Sequence, residues 1–215
     1  STSRGLGDVY KRQSLVGQEN VPVELYQEFM QDITVEIDRE NKIITDLLSL
    51  VKLDKKAADL NIAEVDINEM LENILKRLNP IASVKHVELV LESFRPVVAE
   101  IDEVKLSLAF SNLIENGIKY NVENGYVHVK LDADHKYFFV TVTDSGIGIP
   151  EESIDKIFER FYRVDKSHSR EIGGTGLGLA ITRSAIVMHR GAIKVKSEEH
   201  KGTTFSVRIP LTYIA

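Results

Sequence analysis

Three short segments carry the residues that could do chemistry. They are Asn112-Leu-Ile-Glu-Asn116-Gly-Ile-Lys119-Tyr120, Asp144-Ser-Gly-Ile-Gly148 and Gly173-Gly-Thr-Gly-Leu-Gly178-Leu179. In the first, Asn112, Asn116, Lys119 and Tyr120 stand at i, i+4, i+7 and i+8, which puts them on one face of a helix. Amide oxygens are hard, neutral ligands that suit Mg²⁺, an ion that keeps most of its waters and borrows phosphate oxygens. Lys119 can meet phosphate as a point charge. Leu108, Phe110, Leu113, Ile114 and Ile118 supply the buried side of the same helix. Taken alone, the polar face is equally a solvated one.

Asp144 ends a run in which Phe138, Val140 and Val142 alternate inward, so its carboxylate points into the core on the same alternation. A buried carboxylate needs a partner, and an adenine amino group is a suitable one. Gly146 and Gly148 let the backbone approach a ring that Ile147 and Ile149 would wall. An Asx turn at the strand end is the plain alternative.

The third segment, Gly174, Thr175, Gly176, Leu177, Gly178 and Leu179 with the Gly before them, follows the polar stretch 165–171 and leads into a helix. Exposed backbone N–H groups at a helix start favour phosphate. The segment has no Lys-Ser or Lys-Thr after its last Gly, so it is not a Walker loop. Its glycine spacing and its position near the C-terminus also fail the Rossmann pattern. Either it binds phosphate in another architecture or it is a flexible hinge. Between the second and third segments, Phe158 and Phe161 are expected to pin the loop to the core, and Arg163 to reach a terminal phosphate.

The elements that must position these groups alternate between helix and strand patterns. Apolar residues Val23, Tyr26, Met30, Ile33, Ile37, Ile44, Leu47 and Val51 are spaced by three, four or seven, the seam of a long helix packing along another. Residues 52–66 read as a connector. Helices are expected from Asp66 to Lys85, Asp102 to Tyr120, Pro150 to Phe158 and Thr175 to His189. Strands are expected over 86–92, 126–132, 137–144, 192–197 and 203–210, the middle two turned by Asp134-His135. Antiparallel hairpins mixed with helices predict an α/β (α+β) two-layer sandwich, with a mixed, largely antiparallel sheet and helices on one face, preceded by a long amphipathic helix.

Composition sets limits. The chain has 215 residues and a net charge of −6, which argues against a general nucleic-acid binder. The absence of Cys excludes disulfides, zinc–thiolate sites and cysteine nucleophiles. No stretch approaches the roughly 18 apolar residues of a membrane span. The six histidines, at 86, 128, 135, 168, 189 and 200, form no metal spacing and are expected at the surface. Residues 1–21 are read as a leader, disordered or foreign to the natural chain.

Segments 112–120, 144–148, 158–163 and 173–179 resemble the N, G1, F and G2 boxes of the ATP-binding domain of sensor histidine kinases, a fold shared with gyrase B-, Hsp90- and MutL-type ATPases. The resemblance spans about residues 66–210. It implies ATP and Mg²⁺ as ligands, with Asn116 on the metal, Asp144 on the adenine amino group, Lys119 and Arg163 near the phosphates, and Tyr120 by the base. Residues 164–178 would be a lid over the nucleotide, and Thr204 would lie near the adenine. Residues 66–215 would form the catalytic domain and 22–58 the second helix of a dimerisation hairpin.

The departures narrow the implied chemistry. The related ATPases place a water-activating glutamate four residues before the metal-binding Asn, and here Asn112 stands there, which disfavours simple hydrolysis. The phosphoacceptor histidine of the family precedes the helix 22–54, and no histidine does so here. Arg190 replaces a usual Gly after His189, and Gly117 a usual Ala. The resemblance thus implies a phosphoryl donor acting on a separate or missing hairpin helix. The full-length protein would be a homodimer that passes phosphate to a response regulator, and this chain would be the cytoplasmic part of a membrane-anchored bacterial sensor. The alternatives are a non-catalytic nucleotide-sensing interaction module and a Ser/Thr anti-sigma-type kinase on the same fold.

Overall fold

The computed structural model describes residues 23–54, 60–164 and 174–213. The leader and residues 165–173 of the proposed lid, with His168 among them, lie outside the described residues. Two compact units divide the chain, residues 1–42 and 43–215. Helix α1 (Val23–Asp54) contributes to both. Val23, Tyr26, Met30, Ile37, Ile44 and Leu47 of its apolar stripe are exposed, whereas Leu50 is buried in the second unit beside Leu177 and Ile181.

The second unit is built on a five-stranded sheet. After α1 come β1 (Ala63–Asp66), α2 (Ile67–Val84), β2 (Glu88–Ser93), β3 (Val98–Ile101) and α3 (Glu103–Lys119). The hairpin β4 (Tyr126–Ala133) and β5 (Tyr137–Asp144) follows, then α4 (Gly178–Met188), β6 (Ala192–Glu198) and β7 (Gly202–Pro210). The strand order is β2-β4-β5-β7-β6; β2 runs parallel to β4 and the other pairs are antiparallel. Alternate residues of β4, β5 and β7 are buried against the apolar faces of α2 and α3, with Phe110 and Phe138 fully enclosed. This is the two-layer, mixed sandwich that the alternation predicts.

Capping places the two long helices where the sequence puts them. The Asp66 side chain accepts from Glu69 N at 3.1 Å and that of Asp102 from Lys105 N at 3.1 Å, each satisfying an orphan N–H of the first turn. Three features differ from expectation. β1 and β3 pair as a separate antiparallel ribbon; both are four residues long, too short for alternation to announce them. The segment after Pro150 forms only a 3₁₀ turn at Glu151–Ser153 followed by further turns. Helix α4 starts at Gly178 instead of Thr175, because Gly176 has φ +71° and breaks the helical path.

Candidate functional site

Asp144 is the last residue of β5 and continues its buried face, at 8% exposure. Two backbone N–H groups, Gly146 at 2.9 Å and Thr203 at 3.2 Å, donate to the same oxygen, Oδ1. No donor among the described residues reaches Oδ2. Burial pushes the Asp144 carboxyl above the ordinary range, with the two backbone bonds acting against it. Two glycines make the close packing possible. A Cβ on Gly146 would lie 2.4 Å from Tyr120 O, and one on Gly202, at φ +101°, would lie 2.0 Å from Asp144 O. Beyond the turn, Gly148 leads to Ile149, whose N–H donates to Ser197 Oγ at 2.8 Å.

A second group forms where the end of α3 meets the glycine segment. A Cβ on Gly174 would lie 2.8 Å from Lys119 Nζ, 3.6 Å from the Tyr120 hydroxyl and 3.8 Å from Arg163 Nη2. Arg163 Nη1 donates to Gly174 O, and Lys119 Nζ lies 5.4 Å from the Tyr120 ring centroid. Burial raises the Tyr120 phenol above its usual value, with the Arg163 charge opposing. Two cations and a phenol thus converge on a backbone that has no side chain of its own. One turn earlier, the half-buried Asn116 side chain makes no hydrogen bond to another described residue. A further turn back, Asn112 Nδ2 donates to Gly178 O at 3.2 Å, tying α3 to the first residue of α4.

The glycine segment is also held from the other side. Thr175 Oγ1 donates to Asp46 Oδ2 at 2.6 Å and accepts from Leu177 N at 3.2 Å. Leu177 is fully buried, and Leu179 packs against the main core. Asp46 had no motif to announce it.

Three residues sit elsewhere than the sequence reading expects. Thr204 faces away from Asp144, with its Oγ1 3.1 Å from Thr143 Oγ1. It is Thr203 that pairs across the strands with Asp144, buried on the same face, and period-two alternation back from buried Phe205 is the signal that finds it. Phe158 does pack against the core, edge-on to Phe205 at 6.4 Å, but Phe161 is 59% exposed. Its φ of +64° turns the ring outward while its N–H donates to Gly176 O at 2.9 Å. His189 is buried at 1% exposure instead of at the surface. Its Nε2 accepts from Asp102 N at 2.9 Å and its Nδ1 lies 2.7 Å from Ala185 O, an arrangement that suits the neutral ring with the proton on Nδ1. Arg190, next along, takes the left-handed conformation (φ +57°) that a Gly in its place would adopt freely.

Comparison with known proteins agrees with this geometry. The family model described as histidine kinase-, DNA gyrase B- and HSP90-like ATPase matches residues 101–213. The sensor histidine kinase WalK of Bacillus subtilis is 37% identical over 178 residues, which cover 81% of this chain and 29% of that protein. The sensor protein kinase WalK of Staphylococcus saprophyticus is 37% identical over 190 residues, 87% of this chain and 31% of its own length. The chain therefore spans about three-tenths of these curated relatives. Among solved structures, the catalytic domain of histidine kinase ThkA superposes with a TM-score of 0.63 at 28% identity, covering 71% of this chain and 97% of that one. Full-length ShkA in complex with AMPPNP gives 0.76 at 26% identity, over 91% of this chain and 41% of that one.

Proposed function

Because the chain belongs to the family of histidine kinase-, DNA gyrase B- and HSP90-like ATPases, we propose that it binds Mg²⁺–ATP between Asp144 and the glycine segment and serves as the phosphoryl donor of a sensor histidine kinase. The observation that carries this reading is the pair of polar groups at the two ends of the site. At one, Asp144 Oδ2 is left without a donor, a carboxylate oxygen ready for an amino group. At the other, Lys119, Tyr120 and Arg163 converge on Gly174. Solution of ShkA with AMPPNP supports a nucleotide in such a fold.

The roles follow from position. Asp144 accepts from the exocyclic amine of the base, and Gly146 lets the ring lie against backbone. Gly148 and Ile149 line the same end, with Tyr120 between base and phosphates. Lys119 and Arg163 neutralise phosphate charge; Gly174, Thr175, Gly176 and Leu177, the last with its N–H held by Thr175 Oγ1, lead into α4, and the N–H groups of Gly178 and Leu179 open it, where the helix dipole favours anions. The Asn116 amide oxygen fits a Mg²⁺ site that keeps several waters; the ion, when bound, offsets charge on the phosphates. Thr203 replaces Thr204 as the threonine beside the base.

Asn112 distinguishes donor from hydrolase. Its amide is engaged with Gly178 O and has no basicity with which to take a proton from water. Transfer to an external acceptor then depends on positioning and charge stabilisation, the terms that dominate phosphoryl transfer. We assign residues 66–215 to this catalytic domain and 22–58 to the second helix of a hairpin. The acceptor is a histidine on a separate hairpin helix, in a homodimer that relays phosphate to a response-regulator aspartate.

Incubation with radiolabelled ATP, Mg²⁺ and a hairpin bearing the acceptor histidine tests the proposal. An acid-labile label on the hairpin is expected. Tight ATP binding with no label would favour a nucleotide-sensing module, and an acid-stable label a Ser/Thr kinase.

A further inference from the structure

Asn121 follows Tyr120, the residue that caps the end of α3, and its side chain uses its full hydrogen-bonding capacity. Nδ2 donates to Gly117 O at 2.8 Å and to Tyr126 O at 2.9 Å. Oδ1 accepts from Val122 N at 3.0 Å and from Ser145 Oγ at 3.0 Å. The amide thereby joins the end of α3, the start of β4 and the turn that follows Asp144. Gly125 leaves room for it, since a Cβ there would lie 2.1 Å from Asn121 Oδ1.

The chain of bonds continues to the carboxylate. Ser145 Oγ, held by Asn121, accepts from Tyr126 N at 2.9 Å, and Ser145 N donates to Tyr126 O at 3.2 Å. Ile147 N donates to Tyr120 O at 3.0 Å. Between these two anchors lies Gly146, whose N–H donates to Asp144 Oδ1. The turn is pinned on both sides to the end of α3, and the N–H that orients the Asp144 carboxylate is carried by the pinned turn. Which way Oδ2 points therefore depends on Asn121.

We propose that Asn121 is a positioning residue for nucleobase selection: it fixes the turn that aims Asp144 Oδ2 and so sets the preference for an amino-bearing purine over an oxo-bearing one. This rests on the reading of Asp144 as the base-recognising group. An amino purine donates to Oδ2, whereas a guanine-type base would present its carbonyl oxygen to a carboxylate, which repels it. A loosened turn lets the carboxylate swing and blunts that difference. The phosphates, held by Lys119 and Arg163, contribute equally to both nucleotides.

The test is the ratio of GTP to ATP dissociation constants for the whole chain with Mg²⁺, measured by competition against a fluorescent nucleotide. Asn121→Ala is expected to lower this ratio about tenfold, with ATP binding weakened and GTP binding held or improved, as loss of several orienting hydrogen bonds implies. Asn121→Asp keeps the acceptor for Ser145 but loses both donors, and is expected to fall between wild type and Asn121→Ala. Ser145→Ala removes two links, the bond to Asn121 Oδ1 and that from Tyr126 N, within a turn whose backbone bonds remain, and is expected to shift the ratio in the same direction by about threefold. Equal weakening of ATP and GTP in these variants, or an unchanged ratio in Ser145→Ala and Asn121→Ala, overturns the proposal while leaving the nucleotide site in place. Failure of the wild-type chain to prefer ATP overturns the reading of Asp144 itself, and the proposal with it.

Discussion

Thr203 gives its backbone N–H to Asp144 Oδ1, across the β5–β7 pair, from a residue as buried as the carboxylate it serves. Both internal bonds to that carboxylate fall on Oδ1, which leaves Oδ2 without a donor among the described residues. Asp144→Asn is expected to weaken ATP binding by about tenfold to a hundredfold, the range for a hydrogen bond to a charged group. Stability should not fall. A carboxyl whose folded pKa is raised destabilises the folded form as pH rises through that pKa, and the amide removes this effect. ATP affinity of the wild type, in contrast, should drop as pH falls through the raised pKa, at a higher pH than an ordinary aspartate would cause. Titration calorimetry across pH, paired with urea melts of both proteins, measures the two effects separately.

The two adjacent threonines should behave differently. Thr203→Val removes a hydroxyl on the buried face beside Asp144 and is expected to weaken ATP binding by about fivefold. Thr204→Val, on the opposite face with Thr143, should leave affinity within about twofold of wild type. A larger effect from Thr204→Val would return the role to that residue.

Lys119→Met is expected to cost ATP binding about tenfold and leave adenosine binding unchanged, as the proposed phosphate role requires. The wild-type ATP affinity should also weaken with added salt more steeply than that of the variant. Parallel salt slopes would count against a phosphate role.

His189 is expected to make the fold acid-sensitive. Burial holds its pKa below the ordinary 6.5, opposed by the bond to Ala185 and the nearby Asp102 charge and aided by Lys105. The unfolded chain takes up a proton below pH 6.5 that the folded chain refuses, so stability falls as pH drops from there toward the folded-state pKa. The slope is up to about 1.4 kcal/mol per pH unit. Urea denaturation at several pH values should show a shallower acid loss in His189→Gln, and identical slopes would place the acid sensitivity elsewhere.

Of the two phenylalanines before Arg163, only Phe158 should matter to stability. Phe158→Ala is expected to cost about 2–4 kcal/mol, and Phe161→Ala less than about 0.5 kcal/mol. Thermal melts of the two variants decide it.

What was legible in the sequence tracks the range of the physics involved. Period-two alternation over Phe138, Val140 and Val142 placed Asp144 inward, because a pleated strand repeats every two residues. Side-chain caps marked the starts of α2 and α3 within three residues of the groups they bond. Thr203 and Thr204 are chemically identical, and only the register imposed by Phe205 and by pairing with Asp144 tells them apart. The His189 ring is buried by a bond to Asp102, 87 positions away, which no local pattern announces. β1 and β3 stabilise each other as a ribbon although neither carries a four-residue signal of its own.

Asp46 and Leu50 lie one turn apart on α1 and reach the glycine segment by different means. The first takes the Thr175 hydroxyl, and the second packs beside Leu177 and Ile181. Turning this stretch of helix by one residue's step, about 100°, would withdraw a polar and an apolar hold in a single motion. The helix is thus geared to the segment like a cam to its follower. Under the proposed function, a twist of this stretch would free or restrain the segment that meets the phosphates.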